Sequence, residues 1–276
     1  MQRFKQLFNF FIQSSIHVAL SVCGLVWVTL LNFHIGVDLN FLYFIFFATI
    51  TGYNFVKYFG LAKFHHRQLV TWLKHIQVFS LLCFVGMCYF AVKLRIVTCL
   101  YFIVLGMITF IYAVPIIPKK IFIRGGKLRE ISGLKIYVIA FVWTCVTVII
   151  PLLNENHEIN QNVLVESVQR YLYVFTAMLP FEIRDMQYDS LKLSTIPQRI
   201  GIIKTKILGT LSALLIFLIE FSRANIVANK LIILGVVCLL LILFLGFSRV
   251  KQPSYYSGFL VEGIPILWAL LITLNF

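Results

Sequence analysis

Two aspartates four residues apart carry the strongest chemical signal in this sequence. Asp185 and Asp189 lie in "FEIRDMQYDS", which also contains Glu182, although only 10 of the 276 residues are Asp or Glu. If a helix continues through this segment, the two carboxylates share one face and repel each other unless a cation lies between them. Mg²⁺ prefers oxygen ligands and typically joins one or two carboxylates to substrate phosphates. The spacing therefore indicates a magnesium and phosphate site, and a solvated loop with ion pairs to Arg184 and Lys192 is the structural alternative.

The composition limits the class of protein that can hold such a site. The chain is 61% hydrophobic and 12% charged, with a mean hydropathy of +0.94, whereas a soluble domain carries about 25% charged residues. Continuous apolar runs without period-two alternation predict helices rather than barrel strands. We therefore expect an all-α, polytopic integral membrane protein with a single domain over residues 1–276. Nine segments are long enough to span a bilayer: 14–33, 39–57, 76–92, 96–114, 134–153, 163–181, 205–222, 230–247 and 256–275.

The distribution of basic residues predicts an orientation for these spans. Most of the 24 Lys and Arg residues fall on one side if the N-terminus is cytoplasmic. The positive-inside rule then places the N-terminus and the candidate catalytic loops in the cytoplasm and the C-terminus outside. This bias, together with attraction to anionic membrane lipids, explains the net charge of +14 without a nucleic-acid partner.

A longer stretch around the two aspartates resembles a known family. "FEIRDMQYDSLKLSTIPQRIG" is similar to the second aspartate-rich motif of the UbiA superfamily of intramembrane prenyltransferases, in which D-x-x-x-D precedes basic residues and a T-x-P-x-R-x-G-like tail. The matching positions here are Asp185, Asp189, Lys192, Thr195, Pro197, Arg199 and Gly201. The spacing before Thr195 is slightly short, and the glycine that usually follows the second aspartate is absent. "IYAVPIIPKK", followed by Leu134 and Lys135, also resembles the family between its fourth and fifth helices.

The resemblance implies a fold, an activity and a set of site residues. Family members have nine transmembrane helices, use Mg²⁺ to hold an isoprenyl diphosphate, and transfer the isoprenyl group to an aromatic or lipid-like acceptor. Asp185 and Asp189 are then the metal ligands and catalytic residues. The basic residues implied to bind the diphosphate are Lys57, Lys63, Arg67, Lys119, Lys120, Lys192 and Arg199. The pocket residues implied are Asn54, Tyr58 and Tyr112.

The first aspartate-rich motif of the family is degenerate in this sequence. In "NFVKYFGLA" Asn54 is in place, but Tyr58 and Ala62 occupy the two aspartate positions. Neither side chain replaces a carboxylate as a metal ligand. Three basic residues lie in the same segment, namely Lys57, Lys63 and Arg67. We expect them to replace part of the missing metal charge, and an ordinary basic cytoplasmic loop is the alternative.

Four further polar residues fall inside or near the predicted spans. Glu166 and Arg170 are four residues apart and are expected to form a structural pair. Glu220 is expected at the membrane interface. Glu262 lies within the last span, where an unpaired acid is costly, so it either pairs with a basic residue or contacts the acceptor.

The degenerate first motif keeps a second class of function open. A catalytically impaired relative would bind isoprenoid or quinone lipids, or scaffold other membrane enzymes. The intact Asp185 and Asp189 pair argues against that interpretation. A secondary transporter is disfavoured because the scarce acids lie at a membrane edge and no pair of Gly- or Pro-broken helices occupies corresponding halves.

Overall fold

The computed structural model of the protein describes residues 2–58, 69–113, 133–187, 195–223, 226–253 and 255–275. Side chains are described from Lys5 onward, apart from residues 69–72 and 112–113. The described residues are almost entirely helical and contain no strand, which confirms the predicted all-α class.

Nine long helical segments of the described residues coincide with the nine predicted spans. Two of them are composite: α6 continues through a π-helical stretch, Cys145–Ile149, into α7, and a second π-helical stretch, Tyr256–Val261, precedes α12. The segments are α2 (Ile16–Asn32), α3 (Leu39–Tyr58), α4 (Leu69–Ala91), α5 (Ile96–Ala113), α6 (Leu134–Thr144) with α7 (Ile150–Asn154), α8 (Gln161–Asp185), α10 (Ile202–Ile219), α11 (Ala228–Phe247) and α12 (Glu262–Leu274).

The lengths and compositions of these helices make this an integral membrane protein. Among the described residues, six helices are long and apolar enough to cross a bilayer, or seven if the bent pair at the N-terminus counts as one span. α8, which carries several charged residues, and α5, whose side chains are described only up to Ile111, are not in that set. The number of nine spans therefore stays a prediction.

An N-terminal helix, α1, was not predicted from the sequence. It runs over Gln2–Gln13 and meets α2 at an angle of 56°. The elbow falls at Ser14 and Ser15, and Ser15 has a φ of 65°, which is the left-handed region that a non-glycine residue rarely adopts. The apolar run that defines the first span begins only after this elbow, so hydropathy alone does not reveal α1.

Close helix packing holds the bundle together. α2 packs against α3 and α12, while α8 packs against α6, α10 and α11. In a bilayer such contacts depend on shape, because lipid tails are as apolar as the helix surfaces. Gly209 shows how tight they are: a Cβ there would come within 2.2 Å of the Leu245 side chain and 2.7 Å of Leu179. α8 is thereby fixed along its length, and its two ends carry the polar clusters described next.

Candidate active site

Asp185 is the last residue of α8, and two cations hold its carboxylate. Arg184 Nη2 lies 2.8 Å from Oδ1, and Lys135 Nζ lies 3.6 Å from Oδ2. All three side chains keep between 21% and 24% of their surface exposed. The carboxylate is thus reachable from outside the bundle and is bound by side chains that can change partners.

Lys57 and Glu262 bring two more helices to the same place. Lys57 lies in the last turn of α3 and donates to the Gln13 carbonyl oxygen at 3.2 Å. The charges of Lys57 and Arg184 both act on the Glu262 carboxylate at the start of α12. We call Lys57, Lys135, Arg184, Asp185 and Glu262 the Asp185 cluster. It carries three cations and two carboxylates, and the excess of positive charge favours an anionic ligand.

Lys135 and Arg184 were not assigned to the site from the sequence. From the sequence, Arg184 is expected only as an ion-pair partner of the aspartates, and Lys135 only as part of the "LK" resemblance. The signal for Lys135 was its place at the first turn of α6, directly after a long basic loop. Which lysines of such a loop reach a carboxylate depends on how α6 packs on α8, which the sequence does not encode locally.

Asn54 and Tyr58, the predicted pocket residues of the first motif, hold the elbow between α1 and α2. Asn54 accepts a hydrogen bond from Ser15 Oγ at 2.8 Å and donates to the Ser14 carbonyl oxygen at 3.0 Å. Tyr58 Oη donates to the Gln13 carbonyl oxygen at 2.7 Å. Both residues are buried. In this structure the described part of the first motif therefore positions the N-terminal helix, because the Asn54 and Tyr58 side chains form hydrogen bonds to the elbow.

Glu182, the remaining acid of "FEIRDMQYDS", organises the tail of the second motif. It is buried, and its Oε2 accepts the backbone N–H of Ile196 at 3.2 Å, at the start of the short helix α9 (Ile196–Ile200). A carboxylate is well placed there because the N-terminus of a helix presents unpaired N–H groups. Gln198 reaches back to accept the Thr195 N–H at 3.0 Å.

The tail then turns at Gly201, whose φ is 81°. L-residues with a Cβ avoid this region, so the glycine of the T-x-P-x-R-x-G-like tail is required by the backbone. Arg199 lies in the last turn of α9 and is exposed. The turn thus connects α9 to α10 and leaves Arg199 at the surface, on the chain that follows the two aspartates.

Several predicted site residues lie outside the described residues. These are Lys63, Arg67, Lys119, Lys120, Asp189 and Lys192, and for Tyr112 only the backbone is described. The pairing of Asp185 with Asp189 therefore stays a prediction. Within the described ranges, no group of three His, Cys, Asp or Glu side chains forms a metal site.

A second polar cluster lies near the other end of α8. Glu166 and Arg170 form the predicted pair at 2.9 Å, with Arg170 fully buried. Arg223 binds Glu166 at 2.6 Å and Glu220 at 2.9 Å, so Glu220 is buried in a network, and its place at the membrane interface stays a prediction. Gln169 donates to Glu220 Oε2 at 2.9 Å. We call these five residues the Arg170 cluster.

The Arg170 cluster is balanced in charge and closely bonded. Arg170 also donates to the Leu25 carbonyl oxygen and to Thr29 Oγ1 at 2.9 and 3.1 Å, and it lies over the Trp268 ring. Burial disfavours the charged form of Arg223, but Glu166 and Glu220 outweigh it and raise the pKa of that guanidinium. Two cations and two carboxylates leave little capacity for a charged ligand, so this cluster is structural.

Comparison with solved structures identifies the class of fold. A digeranylgeranylglyceryl phosphate synthase matches with a TM-score of 0.58 and 14% identity over 99% of this chain and 100% of that chain. A UbiA homolog from Aeropyrum pernix K1 matches with a TM-score of 0.64 and 15% identity over 94% of this chain and 98% of that chain. No protein-family model and no curated protein matches the sequence.

The chain therefore has the fold of the UbiA-type intramembrane prenyltransferases. The resemblance read from the two loop segments is confirmed at the level of the fold. Identities this low carry no residue-level function with them, so the activity has to be argued from the Asp185 cluster itself.

Proposed function

We propose that this protein is a membrane prenyltransferase that moves an isoprenyl group from its diphosphate to an aromatic or lipid-like acceptor. The observation that carries the proposal is the Asp185 cluster: a reachable carboxylate held by Arg184 and Lys135 at one end of a UbiA-like bundle, with the charge of Lys57 acting on Arg184. A diphosphate is a compact polyanion, and charge-assisted bonds from Lys and Arg are the strongest that a protein offers it.

The cations of the cluster have a direct role in binding the donor. Arg184 and Lys135 are partly exposed, so each can exchange its contact with Asp185 for a phosphate oxygen. Lys57, which donates to one backbone carbonyl and lies over the Tyr58 ring, adds a third cation. Cations that meet the departing diphosphate stabilise the negative charge that develops when the bond to the isoprenyl carbon breaks.

The residues fit one magnesium ion, carried by the second motif. Asp185 offers oxygen ligands that no backbone N–H of the described residues occupies, and Asp189 is the proposed second ligand. When bound, Mg²⁺ supplies charge that stabilises the leaving diphosphate. The described part of the first motif contains no acid, and the Asn54 side chain is bonded to the elbow, so a second ion has no carboxylate there.

The apolar bundle suits the other half of the reaction. An isoprenyl chain is hydrocarbon, and helices that span the bilayer offer it a dry environment. Excluding water also keeps a reactive allylic carbon from being hydrolysed. In the proposed orientation the N-terminus and the Asp185 cluster face the cytoplasm, the C-terminus lies outside, and the whole chain from residue 1 to 276 acts as one domain.

One observation favours a second candidate function. Asn54 and Tyr58 form hydrogen bonds to the elbow between α1 and α2, and the described part of the first motif contains no acid. A protein that binds isoprenoid or quinone lipids without transferring them would need neither metal site. Such a protein would bind a prenol as well as a prenyl diphosphate, which separates the two candidates.

The test is binding of geranylgeranyl diphosphate to the purified protein in detergent, with and without Mg²⁺. We expect Mg²⁺-dependent binding that Asp185→Asn and Asp189→Asn each weaken at least tenfold, because each removes a metal ligand. Asp38→Asn is the matched control, since Asp38 caps the start of α3 through the Asn40 N–H and is remote from α8 in sequence. Equal binding of geranylgeraniol, with no effect of metal or substitution, would favour the lipid-binding candidate.

A further inference from the structure

Glu262 begins α12 directly after one of the two π-helical stretches of the described residues. The six residues before it, Tyr256–Val261, form a π-helical stretch. Pro265 lies in the first turn after it and lacks the N–H that would bind the Val261 carbonyl. Short π-helical segments cost hydrogen-bond geometry and occur frequently at functional sites. Glu262 thus lies between a π-helical stretch and a proline, which is a backbone irregularity of the kind found at functional sites.

α2 holds this distorted backbone in place. His17 Nε2 lies 3.0 Å from the Phe259 carbonyl oxygen, and Ser21 Oγ donates to the Glu262 carbonyl oxygen. The helices approach so closely that a Cβ at Gly24 would come within 3.0 Å of the Pro265 carbonyl oxygen. Two cross-helix hydrogen bonds and a closely packed glycine therefore constrain this one backbone segment. They fix where the Glu262 side chain starts.

The carboxylate of Glu262, in contrast to its backbone, has no bonded partner. None of the described residues forms a hydrogen bond or an ion pair with it. The charged groups that act on it are Lys57 and Arg184, and the structure describes other contacts for both: Lys57 with Gln13, Arg184 with Asp185. An acid inside a membrane bundle is costly, and such residues typically serve a function.

The neighbours of Glu262 decide which function fits. A metal ligand needs further carboxylates nearby, but the charged side chains that act on Glu262 are Lys57 and Arg184, and the Mg²⁺ of the proposed site is assigned to Asp185 and Asp189. A hydroxyl group, by contrast, donates to a carboxylate and is not repelled by the cations around it. Resting on the proposed function, we propose that Glu262 binds the hydroxyl group of the acceptor and takes its proton during transfer.

The proposed step balances in atoms and charge. The bond between the isoprenyl carbon and the diphosphate oxygen breaks, and its electron pair leaves with the diphosphate. A lone pair of the acceptor oxygen forms the new bond to that carbon. The hydroxyl proton passes to the Glu262 carboxylate and from there to water. Arg184 contacts Asp185, and its charge also acts on Glu262, so in the proposal it links the donor part of the site to the acceptor part.

The test compares Glu262→Gln with wild type using geranylgeranyl diphosphate as donor and two phenols as acceptors. Phenol keeps its proton at mildly alkaline pH, whereas 4-nitrophenol is largely ionised and needs no base. We expect Glu262→Gln to lower transfer to phenol by about 100-fold or more relative to wild type. Transfer to 4-nitrophenol is expected to fall by no more than about threefold. An equal loss with both acceptors, or no loss with either, would overturn the assignment.

Two further readouts keep the result unambiguous. Glu262→Gln should bind geranylgeranyl diphosphate at least as tightly as wild type does, because it removes one negative charge from the Asp185 cluster, whereas a wild type that does not bind it contradicts the proposed function instead. Since the carboxylate has no bonded partner, Glu262→Gln should also leave the melting temperature unchanged. A clear drop would show that Glu262 forms a structural ion pair and would overturn the assignment without any transfer assay. Glu158→Gln, an exposed acid in the loop before α8, is the matched control.

Discussion

Two groups of charged residues lie at the two ends of α8 and differ in how completely they are bonded. The Arg170 cluster near its beginning pairs two cations with two carboxylates in a buried network. The Asp185 cluster at its end has three cations and two carboxylates, and one of the carboxylates has no described partner. Glu166 and Asp185 are separated by about 28 Å along the helix, which is nearly the thickness of a bilayer core.

The two clusters differ in role because they differ in bonding: one stabilises the fold, and the other can bind a ligand. Burying a charge is tolerated when geometry and partners are nearly complete. In the Arg170 cluster both carboxylates are paired, and Arg170 Nε is the one buried side-chain N or O atom of its five described residues without a hydrogen-bond partner. Partly exposed and incompletely paired charges contribute little to stability, but they remain available to a ligand. Completeness of bonding, rather than charge alone, separates the structural group from the candidate site.

Both clusters lie beside a π-helical segment, and α2 stabilises each of them. At the Arg170 cluster, Thr29 donates to the Thr147 carbonyl oxygen at 2.7 Å inside the stretch Cys145–Ile149 and also accepts from Arg170. At Glu262, the corresponding bonds come from His17 and Ser21. Hydrogen bonds from α2 to a π-helical segment thus occur beside the paired Arg170 at one end and beside the unpaired Glu262 at the other.

Arg170→Met should give the largest effect and tests the structural side of the comparison. It leaves Glu166 short of a partner in a buried site, and breaking such a pair costs about 3–5 kcal/mol of the free energy of unfolding. Thermal unfolding in detergent measures the loss. Arg249→Ala, at an exposed arginine, is the control and should change stability by less than about 0.5 kcal/mol. A mild effect of Arg170→Met would show that the network is not structural.

Asn54→Ala tests whether bonding or location decides the role of a residue. Asn54 lies at the same end of α3 as Lys57, but its side chain is bonded like those of the Arg170 cluster. We expect a loss of about 2 kcal/mol of stability, because buried partners at the elbow become unsatisfied. Affinity for geranylgeranyl diphosphate should change less than twofold. A large loss of affinity at normal stability would return Asn54 to the pocket that the first motif predicts.

Lys135→Met tests whether the incompletely paired Asp185 cluster binds a ligand. The side chain is partly exposed and its pair with Asp185 is long at 3.6 Å, so stability should change by about 0.5 kcal/mol or less. Affinity for geranylgeranyl diphosphate should fall about tenfold, as expected for one lost charge-assisted bond. Isothermal titration in detergent measures both the affinity and its salt dependence. Lys93→Met, which removes a lysine at the other end of the bundle that lies over the Tyr89 ring, is the matched control.

The sequence predicts the parts of this molecule that depend on local composition. Apolar runs located nine helical segments, and the i, i+4 spacing located the pair of Glu166 and Arg170. It did not predict α1, because an amphipathic helix lacks a continuous apolar run. It also missed Lys135 and the bonding of Asn54, since each depends on contacts between helices distant in the chain.

Glu182→Gln should give the smallest effect and tests how the tail of the second motif is held. Gln keeps an oxygen that accepts the Ile196 N–H but removes the negative charge at the N-terminus of α9. The loss expected from a helix end is about 1 kcal/mol, and we expect it to appear as local opening rather than as a lower melting temperature. Hydrogen exchange of the amides of residues 195–201 measures it. A carboxylate that only caps α9 acts on the ligand indirectly, through the position of Arg199, so its loss should change diphosphate affinity little. A fall in affinity as large as that of Lys135→Met would instead show that Glu182 belongs to the binding site with the Asp185 cluster.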